Sequence, residues 1–181
     1  MSQVTKDRSE TDATAQSIDQ IDAALLVVSR SMTQPRLHEY LLQSAGVRID
    51  RAGAALLHKL YLNGNPLRVT TLADLLGIDA PNVTRKIQQL EHDGLVLRHS
   101  DPDDRRATRI ALSPAGRRTL RRVLDARRAW IGQLLQDWGE SDLEIFASLL
   151  GRFATTLEGD PATTPTPSDS ELAGALRAKR K

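Results

Sequence analysis

Residues 69–92 constrain the fold most, because they encode two short amphipathic helices separated by one glycine turn. Thr70 is the expected N-cap of the first helix, and Gly77 stands where helices commonly end in the left-handed conformation. Asp79 is the expected N-cap of the second helix, whose first turn tolerates Pro81. Two helices joined in this way predict a helix-turn-helix, the motif that delivers a recognition helix to the major groove of DNA.

The second of these helices has two chemically different faces. Val83, Ile87 and Leu90 recur at helical spacing and predict one buried stripe. The side chains of the other face suit base edges and phosphate oxygens. We expect the threonine near a phosphate and the others at base edges: Asn82, Thr84, Arg85, Lys86 and Gln89. For Arg85 and Lys86, contact with phosphate alone is the competing interpretation.

A hairpin with an arginine-rich loop is predicted directly after this helix. Residues 95–97 open a strand, and residues 108–112 supply its partner. Such a hairpin is typical of a wing, whose tip arginine can enter the minor groove, where negative potential is concentrated. We expect Arg106 in that groove, oriented by Asp104, and Arg105 at the DNA backbone or folded onto the protein. A solvated loop is the competing interpretation.

Together these elements resemble the MarR family of winged helix-turn-helix regulators. The matching segments are LADLLGI (72–78), NVTRKIQQLEHDGLV (82–96), DDRRA (103–107) and LSPAG (112–116). With its flanking helices the resemblance covers about residues 16–157. It implies a homodimer that binds pseudo-palindromic double-stranded DNA, mostly as a repressor released by oxidation or by a small anionic or aromatic ligand. Because the chain has no cysteine, thiol oxidation is excluded as the signal.

Helical spacing of apolar residues predicts further helices before the motif. The first helix has its stripe at Ile18, Ile21, Leu25, Val28 and Met32. Pro35 should kink or restart this helix, and its continuation should end at Gly46. Asp50 is the expected cap of the next helix, with a buried side at Ala54, Leu57 and Leu60 or Tyr61. Residues 67–69 are a candidate short strand that would join the sheet of the wing.

Two more helices are predicted after the wing. Ser113 should cap a helix that has Pro114 at its first position and runs to about residue 137. Ser141 and Glu144 form a predicted capping box for the last helix. The apolar faces of the terminal helices are too extensive for one small winged domain to cover. We therefore expect an isologous dimer interface built from residues 16–45 and 113–157.

The predicted fold class is mainly α with a small β wing. A DNA-binding lobe would span about residues 50–112, inside a winged helix-turn-helix domain of residues 16–157. Residues 1–15 are polar, and residues 158–181 are rich in Pro and Thr with a basic end, so we expect both segments to be disordered. For the basic end, a solvated tail competes with nonspecific DNA contact.

The charges are distributed unevenly. Although the formal net charge is only +2, residues 80–128 contain 12 Lys and Arg against 6 Asp and Glu. This basic block suits a phosphate-binding face, and a solvated helix surface is the competing interpretation. No apolar run approaches the ~20 residues needed to span a bilayer, and the N-terminal residues lack the apolar core of a signal peptide. We therefore expect a cytoplasmic protein with no membrane partner.

No motif of an enzyme active site is present, so we expect no catalytic residue, no cofactor and no enzymatic activity. The four histidines are scattered along the chain: His38, His58, His92 and His99. Two alternatives remain open. One is a metal-responsive regulator of the same fold, using His38, Glu39 and His58. The other is a winged helix used only for protein contacts.

A site for a small-molecule effector follows from the family resemblance, which implies a pocket where the dimerisation helices meet the winged domain. Candidate lining residues are His38, Tyr40 and His58, with Arg36 available to pair with an anionic ligand. Simple packing of the tyrosine and histidines at this junction is the competing interpretation.

Overall fold

The computed structural model describes residues 2–64, 66–102, 104 and 107–159, of which residues 2–13 only as helical backbone. Its elements are α1 (Ser2–Thr33), α2 (Pro35–Ser44), α3 (Arg51–Leu62), β1 (Leu67–Arg68), α4 (Val69–Leu76), α5 (Ala80–His92), β2 (Val96–Ser100), β3 (Thr108–Leu112), α6 (Pro114–Leu134) and α7 (Glu140–Glu158). One compact unit comprises Met1–Ile131 and a second comprises Gly132–Lys181. The predicted fold class, mainly α with a small β wing, is confirmed.

The three strands form an antiparallel sheet in the order β1-β3-β2. β2 and β3 make the hairpin of the wing, with Val96 opposite Leu112 and Ser100 opposite Thr108. β1 pairs with the other edge of β3, where Leu67 lies opposite Ile110. The predicted short strand is thus present, and it ties the segment before α4 to the wing.

An aliphatic core holds the first unit together. α3 contributes Leu56, Leu57 and Leu60, and α5 contributes the predicted stripe of Val83, Ile87 and Leu90. Leu72, Val96, Ile110 and Leu120 complete the cluster from α4, the sheet and α6. Each such side chain contributes roughly 1.5–3 kcal/mol on burial. Tyr61, the alternative to Leu60 as a buried residue of α3, is exposed.

Side-chain caps fix where the central helices begin. Asp50 Oδ1 accepts a hydrogen bond from the backbone N–H of Gly53 at 2.8 Å, and Asp79 Oδ1 accepts one from Asn82 at 2.9 Å. Ser113 Oγ accepts from the N–H of Gly116 at 2.9 Å. These three of the five predicted caps are confirmed, and α4 ends as expected at Gly77, whose φ is +64°.

Four predicted boundaries differ from the structure. Thr70 is not an N-cap, because β1 leads directly into α4 and Arg68 takes the extended conformation of the cap. Ser141 is not a cap either, since Gly139 is the N-cap of α7. α6 ends at Leu134 rather than at about residue 137. Residues 2–15, expected to be a disordered tail, form the first part of α1. Residues 2–33 contain neither Gly nor Pro, so no residue stops the helix from extending towards the N-terminus. Of the predicted tail at 158–181, Glu158 is the last residue of α7, and residues 160–181 lie outside the described residues.

Candidate nucleic-acid interface

The exposed face of α5 carries three of the residues predicted to read bases. Asn82, Arg85 and Gln89 are exposed, whereas Val83 and Ile87 on the opposite side are fully buried. Arg85 Nη2 donates a hydrogen bond to Asn82 Oδ1 at 2.9 Å, as expected for residues three positions apart on one helical surface. The amide and the guanidinium are therefore presented side by side. These groups suit adenine and guanine respectively.

Lys86 is oriented differently from the prediction. Its Nζ donates to Asp50 Oδ2 at 2.6 Å and to Gln89 Oε1 at 2.9 Å, and its side chain is only 19% exposed. In this conformation the ammonium group links α5 to the start of α3. Partial burial would by itself raise the pKa of Asp50, but Lys86 and the N–H of Gly53 outweigh burial, and the pKa lies below its usual 3.8.

Thr84 lies at the edge of this face and is half-buried. Its Oγ1 donates to the carbonyl of Ala80 at 2.8 Å, one turn earlier in the same helix. The hydroxyl oxygen retains acceptor capacity but its proton is directed at the backbone. Contact of Thr84 with a phosphate oxygen would therefore require the hydroxyl to rotate.

A buried carboxylate at the base of the wing was missed by the sequence analysis. Asp101 is 2% exposed, and its Oδ2 accepts hydrogen bonds from Arg68 Nε at 2.6 Å and from Arg109 Nε at 2.8 Å. Its Oδ1 accepts from the backbone N–H of Asp104 at 3.2 Å. Asp101 thus joins β1, β3 and the loop of the wing.

The strand register contains a signal that could have revealed this residue. Arg68 and Arg109 lie directly opposite each other in β1 and β3. Like charges in that position are destabilising unless an anion lies between them. Once residues 67–69 are read as a strand paired with residues 108–112, a nearby carboxylate is required, and the loop supplies it.

The tip of the wing holds the remaining predicted DNA-contacting residues. Arg105 and Arg106 lie outside the described residues. Asp104 is described, and its backbone carbonyl accepts a hydrogen bond from Ala107 at 2.9 Å. On the other strand of the hairpin, Arg98 Nε donates to Glu91 Oε2 at 2.7 Å, which fastens β2 to α5. The orientation of Arg106 by Asp104 stays a prediction.

A cavity of about 290 Å³ lies among α1, α2, α3 and α6. Of the four predicted effector residues, His38 and His58 line it, whereas Arg36 and Tyr40 are exposed on the other side of α2. Arg36 and Tyr40 are four residues apart and so share a helix face, which is not the face of His38. Among the lining residues outside the predicted set, three carry a cationic group or an indole ring: Arg51, Arg127 and Trp130. These three residues line the cavity, whereas Arg36 and Tyr40 do not.

His58 is the lining residue with a perturbed pKa. Burial lowers the pKa of His58 from 6.5, and the positive charges of Arg127 and Lys59 lower it further. His38 has a local partner, since its Nδ1 lies 3.0 Å from the carbonyl oxygen of Gln34.

Across the part of the chain that the structure describes, no group of three or more His, Cys, Asp or Glu could hold a metal ion. The described helices likewise include none long and apolar enough to cross a membrane.

Comparisons with known proteins agree on one family. A sequence model of the MarR family matches residues 51–108. Over 104 residues the chain is 31% identical to YxaD of Bacillus subtilis, an uncharacterized HTH-type transcriptional regulator, covering 58% of this chain and 72% of that protein.

Solved structures share the fold. A MarR family protein from Bacillus stearothermophilus superimposes with a TM-score of 0.67 at 18% identity, covering 80% of this chain and 97% of the other. A mutant of S. aureus MepR bound to an oligodeoxyribonucleotide gives a TM-score of 0.54 at 21% identity, covering 76% of this chain and 97% of the other. The winged fold, the sequence match and the YxaD relationship together place this chain in the MarR family of transcriptional regulators.

Proposed function

We propose that the protein is a sequence-specific repressor that binds a pseudo-palindromic operator as a homodimer and is released by a small aromatic or anionic ligand. The observation that carries the proposal is the exposed face of α5, where Asn82, Arg85 and Gln89 lie opposite a fully buried stripe. A wing follows this helix directly. The S. aureus MepR mutant, which shares the fold, is bound to an oligodeoxyribonucleotide.

Exposed apolar side chains support the dimer. In the described part of the second unit, α7 has no buried residue. It exposes Ile145, Phe146, Leu149, Leu150, Phe153 and Leu157. Apolar surface of this extent normally marks an interface. A second copy of the chain is the partner that would also supply the second recognition helix for a palindromic site.

The cavity among α1, α2, α3 and α6 is the proposed effector site. Arg51 and Arg127 would pair with a carboxylate, and Trp130 would stack on an aromatic ring. Arg51 also lines a second cavity, of about 790 Å³, together with Asn82 and Arg85. A ligand that displaces Arg51 would therefore disturb the surroundings of the proposed base-reading residues. A ligand can release DNA only if it binds the DNA-free conformation more tightly.

Selection of DNA fragments by the purified protein from a random pool tests the proposal and yields the operator. Arg85→Ala should then weaken operator binding by about 1–3 kcal/mol, or roughly 5- to 150-fold, with little effect on random DNA. Arg36→Ala removes the same charge from an exposed position on α2 and is the matched control. Equal losses for Arg85→Ala on operator and random DNA would restrict Arg85 to phosphate contact. If Arg85→Ala loses affinity for neither DNA, the assignment of α5 as the recognition helix is wrong.

The effector site is tested by titrating the protein–operator complex with a salicylate-like aromatic acid and, separately, with zinc. The proposal expects the acid to release DNA from the wild-type protein but not from Arg127→Gln. Release by zinc alone would instead favour the metal-responsive alternative. If neither the acid nor zinc releases DNA, the proposal that ligands of these two classes control the protein is wrong.

A further inference from the structure

The basic block of residues 80–128 does not lie mainly on the recognition helix and wing. Residues 80–113 hold six basic and five acidic side chains. Three of the basic groups already form ion pairs: Lys86 with Asp50, Arg98 with Glu91 and Arg109 with Asp101. Residues 114–128, in α6, hold six arginines and one aspartate. Nearly all the excess positive charge of the block is therefore carried by α6, and reading bases with α5 does not account for it.

Four arginines form a continuous exposed surface on the first half of α6. Arg117 and Arg121 are separated by one helical turn, as are Arg118 and Arg122, so the four form two adjacent rows. We name them the α6 arginine face. In the part of the chain that the structure describes, none of the four has an ion-pair partner, whereas Arg128, further along, pairs with Asp125 at 3.4 Å. Leu120, between the rows in sequence, is buried in the core and fixes the helix orientation.

A fifth arginine extends this surface from a separate element. Arg48, in the turn between α2 and α3, is exposed and lines a cavity of about 360 Å³ together with Arg122, Thr119 and Asp93. Gly46 in the same turn has a φ of +60°, and a methyl group there would lie 3.1 Å from Arg122 Nη2. The turn therefore lies close against the arginine face, and Asp93 is the one carboxylate lining this cavity.

The arginine face begins at the end of α5 remote from the proposed base-reading residues. Ser113 Oγ donates to the carbonyl of Gly94 at 2.6 Å, which fixes the start of α6 just beyond the C-terminus of α5. Asn82 and His92, near the two ends of α5, are separated by about 15 Å along the helix axis at 1.5 Å per residue. The two surfaces are therefore distinct parts of the first unit.

We propose that the α6 arginine face, extended by Arg48, binds backbone phosphates of duplex DNA outside the segment read by α5. Guanidinium groups bind phosphate oxygens bidentately, and five such groups with little local compensation repel one another until a polyanion covers them. A protein partner is disfavoured, because residues 114–130 expose no large apolar side chain to form the core of an interface. The inference extends the proposed function but does not depend on sequence-specific reading.

Duplexes of two lengths test the inference. One ends at the edges of a selected operator of ~20 bp, that is, two half-sites one helical turn apart. The other extends ~20 bp beyond each edge, so that it offers flanking phosphates of ordinary B-DNA. The wild-type protein should bind the longer duplex more tightly. Arg118→Gln/Arg121→Gln should lose that gain, and its salt slope on the longer duplex should fall by about 2, or ~0.9 per lost phosphate contact.

The control is Arg30→Gln/Arg36→Gln, which removes the same charge from exposed positions on α1 and α2. Because both positions lie in the expected dimer segment 16–45, its sedimentation is compared with that of the wild-type protein, and at equal oligomeric state it should keep the gain. Three results would each overturn the inference. These are no gain from the extension in the wild-type protein, a gain retained by the α6 variant, or equal losses by that variant on both duplexes. Random duplexes of the same two lengths separate this inference from operator recognition. If the protein binds operator and random duplexes equally well, sequence-specific reading is rejected. If the longer duplexes are still bound more tightly and this gain still depends on α6, the proposal for the arginine face stands.

Discussion

At the scale of single residues, the buried carboxylate of Asp101 compensates the charges of two arginines that lie opposite each other in β1 and β3. Asp101→Asn keeps the shape of the side chain but removes the charge between Arg68 and Arg109. Breaking a buried ion pair costs about 3–5 kcal/mol, and the partial exposure of both arginines lowers this to about 2–4 kcal/mol. Urea denaturation should show that loss in the free energy of unfolding.

The matched control for Asp101 is Glu91→Gln, which removes a carboxylate from the exposed pair with Arg98. Exposed pairs contribute about 0–1 kcal/mol, so this variant should unfold almost like the wild-type protein. If the two variants lose the same stability, the organising role of Asp101 in the wing is wrong.

His58 predicts a pH dependence of folding whose sign follows from its environment. Burial, and then the charges of Arg127 and Lys59, lower its pKa in the folded protein below 6.5. The unfolded chain therefore binds the proton more readily, and stability that is fully present above pH 6.5 is lost as the pH falls towards the folded pKa. The melting temperature of the wild-type protein should decrease between pH 7 and pH 5 more than that of His58→Gln. The control is His99→Gln, at an exposed position of β2, which should behave like the wild-type protein. If the melting temperature of His58→Gln falls with pH as steeply as that of the wild-type protein, the prediction is wrong.

At the scale of elements, the crossing of α6 over the start of β2 depends on a glycine. A methyl group on Gly116 would lie 2.0 Å from the backbone oxygen of Leu95, which cannot be relieved by rotating a side chain. Ser113 holds the same crossing through its bond to Gly94. Gly116→Ala should therefore destabilise the fold by at least about 1–3 kcal/mol, the usual cost of overpacking, measured by thermal or urea unfolding.

Gly132 offers a control on the same helix, since a methyl group there would meet nothing within 4 Å. Gly132→Ala should stabilise by about 0.5–1 kcal/mol through helix propensity alone. The two substitutions should therefore change the free energy of unfolding in opposite directions. A stabilising Gly116→Ala would show that the backbone at Leu95 can move aside.

Local signals explain why so many elements were predictable from the sequence. Asp50, Asp79 and Ser113 each cap a helix through a bond to a residue three positions later, so the pattern lies within a few residues. Bonds between distant segments were not predictable. Lys86 reaches Asp50 across 36 residues, and Arg68 reaches Asp101 across 33. The charge count over residues 80–128 assigns Lys86 to a binding surface, because a count cannot reveal which cation already has a partner in the folded chain.

At the scale of the whole molecule, positive charge and apolar surface concentrate on different elements. Four arginines with no ion-pair partner among the described residues lie on the first half of α6, whereas most of the large exposed apolar side chains lie on α1 and α7. The sequence predicts both classes of surface, but its charge count over residues 80–128 does not separate α6 from α5 and the wing. Helix periodicity identifies an apolar stripe from spacing alone, whereas locating free charge requires the ion pairs of the folded chain. If the proposal for the arginine face holds, α6 would bind DNA phosphates on a helix that the sequence predicts to take part in the dimer interface.

The dimer supplies the last prediction. Leu149→Glu places a carboxylate in the apolar face of α7, where the native leucine is 54% exposed and contributes little to the packing of its own unit. The variant should therefore fold like the wild-type protein by circular dichroism but sediment as a monomer at micromolar concentration. Burying an unpaired carboxylate in an interface costs several kcal/mol, enough to dissociate a micromolar dimer.

Glu144→Gln, at an exposed polar position of the same helix, is the control for Leu149→Glu and should leave the dimer intact. Removing residues 160–181 should also leave it intact, because that segment has no apolar stripe. A monomer can contact only one half-site, so Leu149→Glu should lose operator affinity while binding an isolated half-site like the wild-type protein. The proposed role of α7 in the interface is wrong if the wild-type protein sediments as a monomer or if Leu149→Glu remains dimeric.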